Sequence, residues 1–589
     1  MAIKHKPVDM VTIGAGWTAG MLAAKLCPSG TTMVSLEQGA TRWTWPHFAH
    51  DHDSLRYSVR YAMMVDLKRE TWTWRPNPRA PALPMRQYGT FNPGMGLGGA
   101  AVHWSAQLWR YLEYDFMHRT HIVDKYGAKK LPAGSTIQDW GITYQDLERY
   151  YDAFEWDIGA SGQAGNINGK IIPGGNPFEA PRSRDYPNPP LTVTPLGDKF
   201  AKAAEDLGLH PFTQPAGITS RAWTDPYGNN RGGCLYCGFC TRFGCEVDAK
   251  ASPLNTHFPV ALATNRYEIR TNTKVLQIEV DNKGLATGVT YVDQQGQEHF
   301  QPADVVFVSA FTLENSRILL LSKSKAHPDG IGNDRGRVGK NYTYQIYPAP
   351  VTGVWEGTKL NQYMGNTATI KIVYDYNADN FDHSNLDFIG GSQLYSEGCE
   401  RAPVTSVGKM KDASGKSWGQ GWKDTVRNDW DSTGSIVTEG EVLPYEDNFL
   451  DLDPNYRDKW GRPLLRLTFD WHDNERNMWR FIALRAKEIM AAMNPTKIVS
   501  FTPEIPAYNI EKYQSTHPTG GCVMGADPSH SVTNSYGQVW DTPNVFVTGA
   551  ALYPQNPGAN PTGTVGAVTY RTAEAIRDRY LKSPGELVT

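Results

Sequence analysis

The chain has 589 residues, 40% of them hydrophobic and 20% charged, which is ordinary for a globular protein with a sizeable core. At ~150 residues per domain this length amounts to three or four domain equivalents, or to two large interwoven domains. A net charge of -3 is too small for a nucleic-acid or anionic-membrane footprint, which argues against partners of that kind.

The N-terminal run MAIKHKPVDMVTIGAG leads straight into a strand. It lacks the apolar stretch and small-residue cleavage site of a secretory signal. No run of ~18 apolar residues is present, so no transmembrane helix is expected, and any export or membrane attachment is expected from a partner chain. Residues 8–13 read as a buried strand, followed by Gly14-Ala15-Gly16 and a helix through Met21, Leu22, Ala23, Ala24 and Leu26. A second strand, Met33 to Leu36, ends at Glu37. This is one βαβ unit of ~30 residues. In Gly14-x-Gly16-x-x-Ala19, Gly14 allows the tight turn and Gly16 lets the backbone approach a pyrophosphate seated on the helix N-terminus. Ala19 keeps helix and strand close, and Glu37 is positioned for ribose hydroxyls. The competing reading is a glycine-rich turn opening an ordinary helix, and the motif does not choose between FAD and NAD.

Residues 40–90 are rich in aromatics, Arg and Pro without a clear period. Of the 18 tryptophans, Trp43, Trp45, Trp72, Trp74, Trp104 and Trp109 come early. Their faces suit sugar rings, but core packing is the first reading for any one of them. Residues 91–105, FNPGMGLGGAAVHWS, form a glycine-rich loop that suggests backbone packed close to a cofactor. Within it His103 reads on sequence alone as a hydrogen-bonding loop residue. Residues 160–235 are dense in Gly, Pro and Asn and are expected to be surface loop.

The seven cysteines are Cys27, Cys234, Cys237, Cys240, Cys245, Cys399 and Cys522. Cys234-x2-Cys237-x2-Cys240-x4-Cys245 crowds four thiols into twelve residues, which points to an inorganic site and not to a disulfide framework. The spacing approaches a ferredoxin run, though the last gap is longer and no Pro follows directly. Structural zinc is the main alternative, but its cysteines usually form two separated pairs.

Residues 267–310 alternate as a β-meander (EIRTNTKVLQIEV, ATGVTYVD, DVVFVSA), and a helix is expected from Leu313 to Ser322. ATIKIVYDY and LLRLTFDW are further candidate strands. Residues 473–493 read as an amphipathic helix with Met478, Phe481, Ile482, Leu484, Ala486, Ile489 and Met490 on its apolar side. The last eighty residues return to strand, Gly-rich loop and helix. There STHPTGGCVMG carries His517, and NPGANPTGTVGA carries Asn560, 43 residues on. Alcohol oxidation needs a base for the hydroxyl proton, and a neutral imidazole suits that work near neutral pH. An amide can hold the same hydroxyl in register. A structural histidine is the competing reading.

These residues together resemble the glucose–methanol–choline oxidoreductases, which bind FAD, and within them the large subunits of bacterial membrane-associated dehydrogenases for gluconate, fructose, sorbitol and 2-ketogluconate. The resemblance spans nearly the whole chain. It implies that Gly14, Gly16, Ala19 and Glu37 hold the FAD pyrophosphate and ribose. The GLGGAAVHW loop, with Gly98, Gly99, His103 and Trp104, matches the flavin-side loop. Val275 falls where adenine is contacted through backbone. Gly549, Ala550 and Thr562 fall in C-terminal flavin-contacting segments. Many family members carry an acid at the position of Gly549. His517 and Asn560 match the active-site pair. The cysteine segment matches one that carries a three-iron four-sulfur cluster, so one of the four cysteines would not be a ligand. His103-Trp104 is similar to a loop whose His is bonded to flavin, so a covalent His103–FAD bond is an expectation. A small subunit with the export signal and a multihaem cytochrome c subunit are implied as partners, which places the chain at the periplasmic face of the inner membrane. A cytoplasmic location is the alternative.

The expected fold is mixed α/β: a Rossmann-like FAD-binding domain interwoven with a substrate domain on an antiparallel sheet. Residues 1–345 and 510–589 are expected to form the former, with the cysteine insertion at about 230–250, and 346–509 the latter, with contributions from 40–90 and 105–230. The expected activity is oxidation of a secondary alcohol of a sugar or sugar acid, D-gluconate at carbon 2 first. Fructose, sorbitol, 2-ketogluconate or glycoside 3-dehydrogenation are close alternatives. A pyranose-oxidase-like oxidase, a non-catalytic electron-transfer subunit and a nicotinamide reductase compete. No second complete GxGxxG unit supports the last.

Overall fold

The structure, a computed structural model, describes residues 2–48, 63–68, 70–89, 91, 93–347, 349–366, 368–397, 410–512 and 515–587. Cys399 lies outside the described residues.

The apolar run Val8–Ile13 pairs in parallel with Met33–Leu36, with Met10 opposite Met33 and Ile13 opposite Leu36. The crossover between them is the helix Trp17–Leu26, buried at Ala19, Met21, Leu22, Ala23, Ala24 and Leu26. A helix that is apolar on most sides belongs inside. It packs against His257–Leu262 and Thr562–Ala575. Each fully buried Leu in such a layer contributes about 1.5–3 kcal/mol.

The eight-stranded sheet around this unit is half parallel and half meander. Its order is Tyr267–Arg270, Met33–Leu36, Val8–Ile13, Glu298–Val308, Ala286–Val292, Lys274–Val280, with Val545–Val547 and Ile3–Lys4 also on Glu298–Val308. The long strand serves both halves. Its start pairs antiparallel with Gly288–Val292, and its end pairs parallel with Val8–Ile13 and Val545–Val547. Gly288 is required at the junction, because a Cβ there would lie 2.1 Å from Gln301 O. The expected segment EIRTNTKVLQIEV is two strands: Tyr267–Arg270 joins the parallel half beside Met33–Leu36, and Lys274–Val280 joins the meander.

A six-stranded antiparallel sheet runs Lys497–Phe501, Val351–Val354, Thr433–Gly440, Ser392–Glu397, Lys371–Val373, Phe212–Thr213. The helices Asp473–Ala492 and Pro195–Asp206 cover it. A four-stranded sheet combines Phe449–Arg457 and Pro463–Thr468 with the early Thr73–Arg75 and Leu83–Pro84. The fold is the mixed α/β expected.

Several local elements differ from the sequence expectation. The expected loop over 160–235 contains the helix Pro195–Asp206; Thr194 caps it by accepting from Gly197 N, and Pro195 holds the first position. ATIKIVYDY supplies strand only at Lys371–Val373, because the chain turns at Tyr374–Asn377. Leu484 is 48% exposed: two residues past buried Ile482 is a rotation of ~200° around the helix. Among the described residues no helix is long and apolar enough to cross a membrane.

Candidate active site

The carboxyl ends of Val8–Ile13 and Val545–Val547 converge beside one another through Glu298–Val308. That is where open α/β sheets bind ligands. Gly14 takes φ +102°, and a Cβ on it would lie 2.8 Å from Ser309 O. No atom lies within 4 Å of the Cβ position of Gly16, which opens the ten-residue helix without a side-chain cap. Its first N–H groups and positive dipole end therefore lie beside open space where a ligand can approach. Ala19 is fully buried in the helix–sheet interface. Gly98 N–H donates to Ala15 O at 2.8 Å, and Gly99 faces Gly16, so the GLGGAAVHW loop closes over the turn.

Glu37 is buried at the end of its strand and accepts N–H bonds from Ala15 (3.2 Å), Gly39 (2.9 Å) and Gly96 (3.1 Å). Burial raises its pKa against those hydrogen bonds. A carboxylate offers about four acceptor sites, which leaves one for a ligand hydroxyl. Thr273 N–H donates to Glu37 O at 2.9 Å, bringing buried Val275 close to the same edge. Gly549 takes φ +86° with nothing within 4 Å of its Cβ position, and Ala550 O accepts from Gly520 N. Thr562 opens the helix Thr562–Ala575 two residues after Asn560. Open glycine positions at two strand ends, an uncapped helix start and a buried acid fit a dinucleotide.

His517 and Asn560 meet at this mouth, His517 Nε2 lying 3.2 Å from Asn560 Nδ2. Their neighbours fix both orientations. Gln345, fully buried, donates through Nε2 to the carbonyls of Pro557 (2.9 Å) and Ala559 (3.2 Å). Its Oε1 must then face His517 Nδ1, 2.5 Å away, so Nδ1 carries the hydrogen and Nε2 the lone pair. Trp109 Nε1–H, a donor only, holds Asn560 Oδ1 at 2.8 Å. The amide nitrogen of Asn560 is thereby turned to His517 and to Glu439 Oε1, the latter at 3.2 Å. The His517 ring sits deep among its neighbours, and burial lowers its pKa to about 4. Glu439 accepts also from Tyr395 (3.3 Å) and from Gln393, and burial raises its pKa to about 8.

The segment carrying Trp109 is itself anchored. Arg110 forms a two-pronged pair with Glu155 at 2.8 Å, and Arg182 braces the same carboxylate. A Cβ on Gly563 would fall 2.0 Å from Trp109 O, so glycine there lets the helix start approach.

Cys234, Cys237, Cys240 and Cys245 line one cavity of ≈ 40 Å³, together with Phe48, Lys250 and Asn366. As ~10–15 Å³ suffices for one water, there is room for several heavy atoms. Tyr236, Gly238, Arg242 and Asp248 take positive φ, which curls the loop so that its thiols share the cavity. Cys234 Sγ accepts from Tyr236 N (3.4 Å) and Asn366 Nδ2 (3.3 Å), and Cys245 Sγ from Lys250 N (3.5 Å). Burial raises the Cys234 pKa. No disulfide joins the described cysteines. The one described group of three or more candidate metal-ligand residues with all ligand atoms within 4.8 Å lies elsewhere, so no three of these sulfurs are drawn that tightly together. Cys27 and Cys522 belong to the core, their thiols pushed up to about 12 by burial.

His103 connects the two regions. Its carbonyl accepts from Arg242 N at 2.7 Å, and burial, then Lys250, lowers its imidazole pKa to about 3. Buried Lys250 donates to the carbonyls of Trp104 (3.0 Å), Cys240 (2.5 Å) and Phe243 (2.7 Å). Trp104 packs on Trp17 of the helix Trp17–Leu26, 5.6 Å between centroids, and on the apolar cluster of Ala106, Ala216 and Ile218, against which Cys234, Cys240 and Cys245 also pack.

Gln345, Glu439, Gln393 and Tyr395 did not stand out in the sequence, and Trp109 read there as core. Their signal is spatial: Gln345 is 172 residues from His517, and Glu439 is 121 from Asn560.

Two GMC oxidoreductase family models match, the N-terminal one over residues 140–346 and the C-terminal one over 444–569. The gluconate 2-dehydrogenase flavoprotein of Pantoea cypripedii is 40% identical over 595 residues, covering 100% of this chain and 96% of that protein. The fructose dehydrogenase large subunit of Gluconobacter japonicus is 26% identical, covering 96% of this chain and 97% of its own. Among solved structures, a formate oxidase from Aspergillus oryzae matches with TM-score 0.62 at 13% identity, covering 99% of this chain and 100% of that one, a likeness of fold.

Proposed function

The chain belongs to the GMC oxidoreductases, and from that premise we propose an FAD-dependent dehydrogenase that oxidises a secondary alcohol of a sugar acid, D-gluconate at carbon 2 first among substrates. The relative at 40% identity supports the substrate class. D-Fructose is the second reading, supported by the relative at 26%. Gly14, Gly16, Ala19, Glu37, Gly98, Gly99, Val275, Gly549, Ala550 and Thr562 would hold FAD, with residues 1–345 and 510–589 as its domain and 346–509 as the substrate domain. Bound FAD would supply the hydride acceptor, taking two electrons together and releasing them singly.

The observation that carries this reading is the fixed orientation of His517 and Asn560. His517 Nε2 presents a lone pair that takes the hydroxyl proton, while Nδ1–H stays on Gln345. Asn560 Nδ2 donates to the same substrate oxygen and keeps it in line. A pKa of about 4 leaves the base unprotonated at neutral pH. Gln393, Tyr395 and Glu439 form a buried hydrogen-bonded set behind Asn560 that would hold its amide in place.

We propose an iron–sulfur cluster, three-iron four-sulfur, on three of Cys234, Cys237, Cys240 and Cys245. Tetrahedral zinc, with Zn–S of ~2.3 Å, would draw its sulfurs to ~3.8 Å. The wider spread of the described thiols favours the larger core. Trp104 and Lys250 join the cofactor-side loop to the cysteine loop. Exposed Leu235, Tyr363 and Met364 beside exposed Cys237 suit a docking haem partner, a multihaem cytochrome c subunit, with export to the periplasm through a small subunit. His103 is proposed as the covalent attachment point of FAD, its buried neutral imidazole supporting that role; yellow colour lost on acid denaturation and filtration refutes it.

The decisive experiment mixes the purified flavoenzyme anaerobically with D-gluconate, D-fructose, sorbitol and 2-ketogluconate and follows the flavin absorbance. Bleaching by D-gluconate is expected. Bleaching by none of them removes the proposal.

A further inference from the structure

We infer that His327, Asp334 and Asp541 form a binding site for a divalent first-row metal ion at the end of the parallel sheet opposite the glycine turn. Asp541 precedes Val545–Val547, a strand parallel to Val8–Ile13, whose far end leads into Gly14. One ligand atom from each of the three side chains lies within 4.8 Å of the other two.

The ring of His327 is the telling feature. The residue is 3% exposed, and its Nε2 lies 3.0 Å from Gly284 O. A carbonyl only accepts, so Nε2 carries a hydrogen and Nδ1 is the ring atom turned toward the two acids. Nδ1 is buried and has no hydrogen-bond partner. It faces Asp334 Oδ1 at 3.7 Å, beyond hydrogen-bond range. A metal ion placed among these three atoms would take all of them as ligands. At 2.0–2.2 Å from each atom, a metal brings ligands to ~3.0–3.6 Å of one another, a small closure for the half-exposed Asp334 side chain.

The surroundings support the ring as a ligand. Gly284 has φ +83°, and a Cβ there would meet His327 Nε2 at 2.8 Å. Glycine lets the hairpin carbonyl reach the ring, and a carbonyl behind a histidine is the usual outer support of a metal ligand. Asp541 is oriented by Gly332 N (3.0 Å) and Thr542 Oγ1 (2.9 Å) and keeps acceptor capacity for an ion. Imidazole with two carboxylates selects manganese or zinc over calcium or magnesium, which take oxygen. The ion would tie the segment after Thr312–Leu321 to the turn before Val545–Val547.

The test uses the holoenzyme after dialysis against EDTA, with Mn²⁺ as probe because thiolates bind it weakly, read by loss of the aqueous manganese EPR signal. One Mn²⁺ per chain is expected, displaced by Zn²⁺. Asp334→Asn, at a half-exposed side chain, is expected to fold normally and weaken binding at least tenfold, and Asp541→Asn, which keeps an acceptor for Gly332 N, to do the same. No uptake by the wild type, or undiminished uptake in Asp334→Asn, overturns the site.

Discussion

Gln345 offers the sharpest test, because it never reaches solvent or substrate yet sets which nitrogen of His517 is basic. In Gln345→Leu the Nδ1–H loses its acceptor. A neutral hydrogen bond contributes ~1 kcal/mol, and a buried donor left unmade costs ~1–3 kcal/mol. The preference for the tautomer with its lone pair on Nε2 therefore shrinks by about 1–3 kcal/mol. At ~1.4 kcal/mol per tenfold, kcat should fall roughly 5–100-fold. KM should hardly move, since Gln345 is fully buried on the Nδ1 side of the ring. In Gln345→Glu an oxygen faces Nδ1–H in either protonation state, so most of the rate should return. A carboxylate there also favours the imidazolium and should move the acidic limb of kcat upward from about 4. Steady-state kinetics with D-gluconate across pH 4–8 reads all three quantities. If Gln345→Leu keeps kcat within a factor of ~2, or Glu rescues no better than Leu, the tautomer argument fails.

His517→Ala should lower turnover by about 10²–10⁴ while the protein stays yellow; near-normal turnover removes it as the base. Burial raises Glu439 to about 8 and both Glu475 and Asp115 to about 7, so the folded chain holds protons that the unfolded chain releases. Their stabilisation is whole at low pH and drains as pH rises through 7–8, whereas His103, His118, His257 and His517, all lowered, lose theirs as pH falls below about 6.5. Stability should thus peak near pH 6.5 and decline toward pH 8, by up to ~1.4 kcal/mol per pH unit per acid, and a Glu439→Gln enzyme whose Tm declines as steeply would contradict this. Gly14→Ala puts a Cβ 2.8 Å from Ser309 O at φ +102°, costing about 1–3 kcal/mol, and should release FAD on desalting; a yellow protein after the column would refute the role of that turn. Serine in turn at Cys234, Cys237, Cys240 and Cys245 should abolish most of the iron in three variants and spare it in one; iron retained in all four refutes the cluster.

The sequence read most clearly where chemistry is local. Gly14, Gly16 and Ala19 sit in one turn, Glu37 one strand later, and four cysteines in one loop, so spacing along the chain is nearly spacing in the fold. The helix over 473–493 was legible for the same reason, save Leu484, whose place around the helix axis needed the exact phase. Elements of two or three residues were not legible, because pairing and not propensity makes them strands. Phe212–Thr213 exists as strand through Lys371–Val373, and Thr73–Arg75 through Pro463–Thr468.

By itself the sequence determined the βαβ unit, the cysteine loop and the candidate pair His517 and Asn560. Only the tertiary structure decided how that pair is held. Gln345, Trp109 and Glu439 come from three distant segments, and a buried hydrogen bond depends on distance and direction that chain separation does not encode. The same holds for His327, Asp334 and Asp541, ordinary loop residues until the sheet carries Asp541 alongside the other two.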